Sequence, residues 1–150
     1  MIDRQAFERF YGDSQPRLQS FVQRLCGARD VAEELVQEAY YRFLRSGFEG
    51  ASDEERRRYL YRIAVNLVRA RRVRTHEARE EAIEIDPAAA IDVNAALAKL
   101  SERDRGMLWL AYVEEYSHRE IAEVMGVAAL SVRVLLSRAR KRFVALMEER

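Results

Sequence analysis

Arginine side chains are the residues of this sequence with the clearest capacity for chemistry. Eight arginines and no acidic residue occur from Arg56 to Arg74, and five basic residues and no acidic residue occur from Ser131 to Phe143. Guanidinium groups bind phosphates and the hydrogen-bonding edges of bases. Because the net charge of the whole chain is only +1, both windows are local patches. They indicate two anion-binding surfaces, with two solvated helix faces as the alternative.

The sequence contains little evidence for a catalytic or metal-binding site. His76 and His118 are isolated, and neither has a Cys or His at metal-ligand spacing. Cys26, the single cysteine, falls in an apolar stripe and is expected to be a small core residue. The sequence has no glycine-rich phosphate loop. We therefore expect the protein not to be an enzyme, and to carry neither a metal nor a cofactor.

The elements that would position the arginines are helices. Apolar residues recur at i, i+3, i+4 and i+7 nearly throughout, and no segment of real length alternates as a strand would. Helix caps are predicted at Asp30, Ser52, Ser101 and Ser117. No apolar run approaches the ~20 residues that a membrane span needs, and the N-terminus does not resemble a secretory signal. The sequence thus predicts an all-α, cytoplasmic protein.

The distribution of charge divides the chain into two small helical domains. Residues 76–94 hold one arginine against six acidic residues, contain Pro87 and lack a strong apolar stripe. We read an acidic linker over 76–92. It would join a first helical domain, 1–75, to a second, 93–150.

Residues 117–143 have the pattern of a helix-turn-helix. A short capped helix is followed by Gly126, which permits the positive φ of a tight turn, and then by a longer basic helix. Val132, Leu136 and Ala139 are predicted to face the core. The candidate contacts to a DNA major groove are Ser131, Arg133, Ser137, Arg138 and Lys141. The alternative is an ordinary helical hairpin with a basic outer face.

The segment YLYRIAVNLVRARRVR, 59–74, has the second nucleic-acid pattern. Leu60, Ile63, Ala64 and Leu67 are predicted to face a core. The candidate nucleic-acid contacts are Tyr59, Arg62, Asn66, Arg69, Arg71, Arg72 and Arg74. Tyr59 and Tyr61 have rings that could stack on exposed bases, as in single-strand binders. The alternative, which is favoured for either tyrosine taken alone, is a core or half-core position.

Taken together, these segments resemble the extracytoplasmic-function (ECF) group of bacterial RNA polymerase sigma factors. The resemblance covers about residues 5–75 and 93–147. DVAEELVQEAYYRFL, 30–44, looks like the family's region 2.2, and 59–74 looks like regions 2.3 and 2.4. LSERDRGMLWLAYVEEYSHREIAEVMGV followed by SRARKRF looks like region 4.

The resemblance implies a factor that binds core RNA polymerase, recognises promoter −10 and −35 elements and directs transcription initiation. Region 2.2 would dock on the clamp helices of the β′ subunit. The residues implied there are Leu35, Gln37, Glu38, Tyr41 and Arg42, and a plain amphipathic helix is the alternative. The loop at about 46–55 would receive a flipped −10 base, and region 4 would read the −35 duplex. The implied partners are core polymerase, including its β flap, promoter DNA and an anti-sigma factor.

Several positions depart from the family pattern. Arg69 stands where an Asp is common, and Tyr59 where a Trp is usual. In the second helix of the helix-turn-helix, Val134 and Leu135 place apolar side chains where DNA contact is expected. These side chains could meet thymine methyl groups or an inhibitory protein partner.

Two rival functions stay open, and so does the arrangement of the free chain. The rivals are a stand-alone helix-turn-helix regulator and a sigma-like protein-interaction module that has lost DNA binding. The charge pattern also suggests autoinhibition, in which the two helical units pack together and hide their DNA-binding faces until a partner selects an extended state.

Overall fold

The computed structural model describes residues 2–50, 52–74 and 91–148, with the side chains of 72–74 and 91–92 excepted. The regular secondary structure of these residues is helical throughout, as the sequence predicts. The described residues form seven helices, α1 Arg4–Cys26, α2 Arg29–Ser46, α3 Asp53–Arg74, α4 Ile91–Lys99, α5 Glu102–Tyr112, α6 His118–Met125 and α7 Ala129–Glu148. Residues 76–90 of the predicted linker lie outside the described residues. The last two residues of that linker, 91 and 92, are the first two residues of α4.

Side-chain caps define several helix starts. The Ser117 hydroxyl accepts a hydrogen bond from the Glu120 amide at 3.2 Å, and the Glu120 carboxylate accepts one from the Ser117 amide at 2.9 Å. This capping box and the Ser101 cap of α5 were both expected. The predicted cap at Asp30 is wrong. Gly27 ends α1 in the left-handed region, so α2 already begins at Arg29, with Ala28 in the cap position.

The two halves of the chain share one core. In the first half, Phe21 stacks on Tyr61 with ring centroids 5.0 Å apart, which joins α1 to α3. Buried side chains of α5 and α6, among them Leu110 and Ile121, belong to the same apolar cluster. Helix α1 packs against α5, and α3 packs against α6. The two helical units therefore pack on each other, which is the compact arrangement that the sequence had left open.

Gly106 allows the close approach of α5 to α1. A Cβ at this position would lie 3.1 Å from a Leu25 methyl carbon and 3.2 Å from the Met125 methyl carbon. Those distances are tighter than ordinary van der Waals contact. Because Gly106 has no side chain, α5 can pack closely against Leu25 of α1.

Candidate nucleic-acid and protein interfaces

Helices α6 and α7 form the helix-turn-helix that the sequence predicts. Gly126 ends α6 with φ 70°, a backbone conformation that costs other residues roughly 1–2 kcal/mol. Val132, Leu136 and Ala139 are buried against the rest of the fold, as expected. The opposite side of α7 carries the predicted contact residues. Ser131, Arg133, Arg138 and Lys141 are exposed and Ser137 is half-buried.

The apolar residues of α7 are distributed differently from the prediction. Leu135 is not an exposed residue, because it packs against the core. Val134 is 48% exposed, and Leu130 in the first turn is 95% exposed. In the first half of α7 the exposed large apolar side chains are therefore Leu130 and Val134, and Val144 is exposed further along the helix. The exposure of Leu130 was not predicted, although this residue stands two positions before Val132, the first predicted core position of the helix.

The basic residues predicted on α3 are divided between two sides of the helix. Arg62 and Asn66 are exposed, and Arg69, one turn further on, is half-buried on the same side. Arg71 lies toward α2, with its Nη1 3.9 Å from the Glu34 carboxylate. The side chains of Arg72 and Arg74 lie outside the described residues.

The two tyrosines of this segment have different environments. Tyr61 is fully buried, and its hydroxyl donates a hydrogen bond of 2.9 Å to the Glu114 carboxylate. Burial, followed by the negative charge of Glu114, raises the pKa of Tyr61. Stacking of Tyr61 on a base is therefore wrong, and the core alternative is correct. Tyr59 is half-buried and stacks face to face on Phe48 at 4.3 Å.

Phe48 is an aromatic residue of the 46–55 loop that the sequence analysis did not single out. Its ring is half-buried, and its plane lies 9° from that of Tyr59. The loop predicted to receive a flipped base thus carries an aromatic pair at its edge. Phe48 could have been identified from the sequence as an aromatic residue within three positions of Gly50 in an otherwise polar loop.

The predicted polymerase-binding residues of α2 form one surface, with one exception. Gln37, Tyr41 and Arg42 are exposed, and Arg42 pairs with half-buried Glu38 at 2.9 Å. Leu35 does not join them, because it is only 6% exposed and packs in the core. A shallow depression on this surface is lined by Glu38, Tyr41, Arg42, Arg45 and Ser46. The Arg45 guanidinium lies 5.5 Å from the centre of the Tyr41 ring.

A buried carboxylate joins the two halves of the molecule. Glu114 follows α5, and its side chain is 1% exposed. One carboxylate oxygen pairs with Arg17 of α1, and the other accepts the Tyr61 hydroxyl hydrogen bond from α3. A buried charge is tolerated only when it is paired in this way. Glu114 could not be identified from the sequence, because an acidic residue just after a helix looks like an ordinary solvated residue.

Helix α6 covers part of the basic side of α3. Arg58 contacts the carboxylates of Glu123 at 2.9 Å and Glu120 at 3.2 Å. The Arg62 guanidinium donates a hydrogen bond of 2.6 Å to the Glu123 carbonyl. In this arrangement, which we call the closed form, Arg62 therefore contacts the helix-turn-helix half of the protein.

Arg105 of α5 connects the ends of two other helices. Its guanidinium donates hydrogen bonds to the carbonyls of Arg24 at 3.0 Å and Leu25 at 2.9 Å, at the end of α1. It also donates to the Leu100 carbonyl after α4 at 2.6 Å. A cation is favourable at a helix C-terminus, so Arg105 stabilises the same junction of the two halves.

Comparison with known proteins agrees with both halves of this architecture. Residues 10–78 match the family described as Sigma-70 region 2, and residues 91–143 match Sigma-70 region 4. Together these matches cover most of the chain. The chain belongs to the sigma-70 family of RNA polymerase sigma factors, within its ECF group.

Solved structures extend this likeness over nearly the whole chain. One is the sigma factor RpoE in complex with the anti-sigma factor NepR from Bartonella quintana. It is 26% identical, with a TM-score of 0.82 over 95% of this chain and 97% of that one. Another is the anti-anti-sigma factor PhyR complexed with NepR, also from Bartonella quintana. It is 19% identical, with a TM-score of 0.63 over 93% of this chain and 49% of that one, and it shares the fold alone.

The family assignment gives the general role of the protein. It is a transcription initiation factor whose regions 2 and 4 bind core RNA polymerase and promoter DNA. Such factors are not themselves enzymes. Among the described helices, none combines the length and the apolar character needed to cross a membrane.

Proposed function

We propose that α7 reads the −35 element as duplex DNA. The contacts would come from Ser131, Arg133, Ser137, Arg138 and Lys141. The observation that carries this proposal is the polarity of α7, whose buried side faces the core while the opposite side is basic. Residues 129–147 contain no acidic side chain, so this helix offers a phosphate backbone uniformly favourable electrostatics.

We also propose that α3 and the loop before it bind the −10 element. Arg62, Asn66 and Arg69 would contact the strand along one side of the helix, and the Tyr59 ring with Phe48 would offer a stacking platform. Further phosphate contacts would come from Arg71, Arg72 and Arg74. Melting costs roughly 1.4 kcal/mol of stacking energy per step, which such contacts to the separated strand offset.

We propose that the exposed surface of α2 docks on the polymerase β′ clamp helices. Its mixture of an exposed aromatic residue, Tyr41, with a rim of Glu38 and Arg42 is typical of the edge of a protein interface. Gln37 belongs to the same surface. In this view, region 2 covers 1–75, the linker covers 76–92, and region 4 covers 93–150 and reaches the β flap.

The closed form is proposed to be a resting state of the free factor. It engages the exposed Arg62 guanidinium in a hydrogen bond to α6, while Arg133 and Arg138 of the −35 surface are exposed on α7. Autoinhibition would therefore act mainly on −10 binding. Because the relative from Bartonella quintana forms a complex with an anti-sigma factor, we infer that a comparable protein binds and stabilises the closed form of this chain.

The rival functions differ in their support. A stand-alone regulator needs no region 2, so the match over 10–78 disfavours it. A protein-interaction module that has lost DNA binding is favoured by one observation, the exposure of Leu130 and Val134. We further infer that the protein acts in the cytoplasm, where its polymerase works, and that it acts by binding alone.

Transcription in vitro with core polymerase on a genomic fragment library tests the assignment. We expect Arg133→Ala to weaken −35 recognition while core-polymerase binding is kept. The paired change Arg71→Ala with Arg72→Ala should reduce open-complex formation and lower the salt slope of binding by about two. Equal loss of core binding in both variants would mean that these arginines support the fold instead.

A further inference from the structure

The first half of α7 presents an apolar pair at the centre of its exposed side. Leu130, Val134, Ser137 and Lys141 are spaced i, i+4, i+7 and i+11, so they form one row along the helix. Leu130 is 95% exposed and Val134 is 48% exposed. The row stands opposite the side that the core buries. It is therefore the line along which α7 would enter a groove.

The charged side chains around the apolar pair indicate which kind of surface would cover it. Arg133 flanks the row on one side and Arg138 on the other, and both side chains are exposed. Since 129–147 contain no acidic residue, the complementary surface is strongly anionic and has small apolar groups at its centre. A DNA major groove has this character, with phosphates at its edges and the 5-methyl groups of thymine in its floor.

We propose that Leu130 and Val134 read thymine methyl groups in the −35 duplex. The inference rests on the proposed −35 role of α7 and specifies its base preference. Leu130 and Val134 would carry sequence preference, while Arg133 and Arg138 supply the phosphate contacts that position the helix. Losing one methyl contact should weaken binding by about fourfold, as the transfer energy of one buried methylene group implies.

Substitution of deoxyuridine for thymine tests the proposal directly, because the two bases differ only by the 5-methyl group. Holoenzyme assembled from core polymerase and the full chain first selects −35 elements from a randomised promoter library. Each thymine of the selected element is then replaced by deoxyuridine, one at a time, and affinity is measured. We expect one or two replacements to weaken wild-type binding by about fourfold each.

Serine variants show which of the two side chains contacts each thymine methyl group. In Leu130→Ser and Val134→Ser the corresponding difference between thymine and deoxyuridine should vanish. Both positions are exposed, so neither change removes a core side chain. Val144→Ser is the matched control, because Val144 is 52% exposed on the same helix but lies further along it. That variant should keep the wild-type preference for thymine.

Three results would overturn the proposal. A selected −35 element without thymine would do so, as would equal affinity for thymine and deoxyuridine at every position. In both cases DNA recognition by α7 would stand, and a protein surface would become the better partner for Leu130 and Val134. Failure of holoenzyme to select any −35 element would overturn this inference and the proposed role of α7 together.

Discussion

Glu114 is a buried charged residue that connects the two halves of the molecule. Its carboxylate, 1% exposed, meets Arg17 of α1 and the hydroxyl of Tyr61 of α3. Removing one partner of a buried pair leaves the other without compensation, which costs more than the pair itself contributes. A single side chain thus couples α1, α3 and the segment after α5, which are far apart in the sequence.

Replacement of Glu114 by glutamine tests this coupling. Glu114→Gln keeps the shape of the side chain and an acceptor for Tyr61 but removes the charge that pairs with Arg17. We expect the free energy of unfolding to fall by about 1–3 kcal/mol, measured by urea denaturation. Glu8→Gln is the control, because the Arg4–Glu8 pair is exposed and such pairs contribute roughly 0–1 kcal/mol. Equal effects of the two changes would contradict this role.

At the scale of the element, α6 depends most on its flanking residues. Its eight residues are fewer than the ~12–15 that an isolated helix needs for marginal stability in water. The capping box of Ser117 and Glu120 satisfies free backbone amides at one end, and Gly126 turns the chain at the other. Packing of Ile121 and Val124 in the core supplies the rest.

Loss of the α6 cap should therefore be measurable. Ser117→Ala removes the hydroxyl that accepts the Glu120 amide hydrogen bond, and we expect it to lower the free energy of unfolding by about 1 kcal/mol. Thermal and urea unfolding both report this change. Ser20→Ala, at an exposed position within α1, should leave stability unchanged or slightly higher because alanine favours helix interiors. A Ser117→Ala protein as stable as wild type would show that packing alone holds α6.

At the scale of the whole molecule, the closed form brings α3, which is proposed to bind the −10 element, into contact with α6 of the other half. Arg58 and Arg62 of α3 contact α6 through the Glu123 carboxylate and carbonyl. Opening the molecule would release both guanidinium groups from these contacts and expose the apolar residues packed between α3 and α6. Core polymerase, by binding the two halves at separate sites, would shift the population toward such an open form.

Charge reversal at the α3–α6 contact tests this equilibrium. Glu123→Lys places a cation against Arg58, and we expect the closed population to fall relative to the open one by about five- to tenfold. Small-angle scattering of the free wild-type chain should give a radius of gyration near 15 Å, and the variant should give a larger one with tighter promoter binding.

The swap Arg58→Glu with Glu123→Lys provides the matched control. It restores an attractive pair between positions 58 and 123 in the opposite orientation but replaces the Arg58–Glu120 contact by two facing carboxylates, so it should recover part of the change in the radius of gyration. An extended wild-type profile, together with tight promoter binding by the free chain, would contradict autoinhibition and leave the family assignment unchanged.

Most of the fold was predictable from local sequence patterns. The spacing of apolar residues identified the helices and the helix-turn-helix, and the cap at Ser117 and the turn at Gly126 marked their ends. The exposed basic side of α7 followed from the same period of 3.6 residues, because side chains opposite a buried stripe must face outward. These properties depend on neighbours within about two turns, so the sequence by itself determined them.

The remaining features were decided by the tertiary structure. For Tyr61 the sequence left base stacking and a core position open, and Phe21 and Glu114 cover the side chain in the core. Arg71 lies toward α2, and Leu130 rather than Leu135 is the exposed leucine of α7. In each case the environment depends on helices distant in sequence, and a short pattern contains no information about which of them packs there. Burial and pairing of these side chains therefore became definite only when the helices packed on one another, within each half and between the halves.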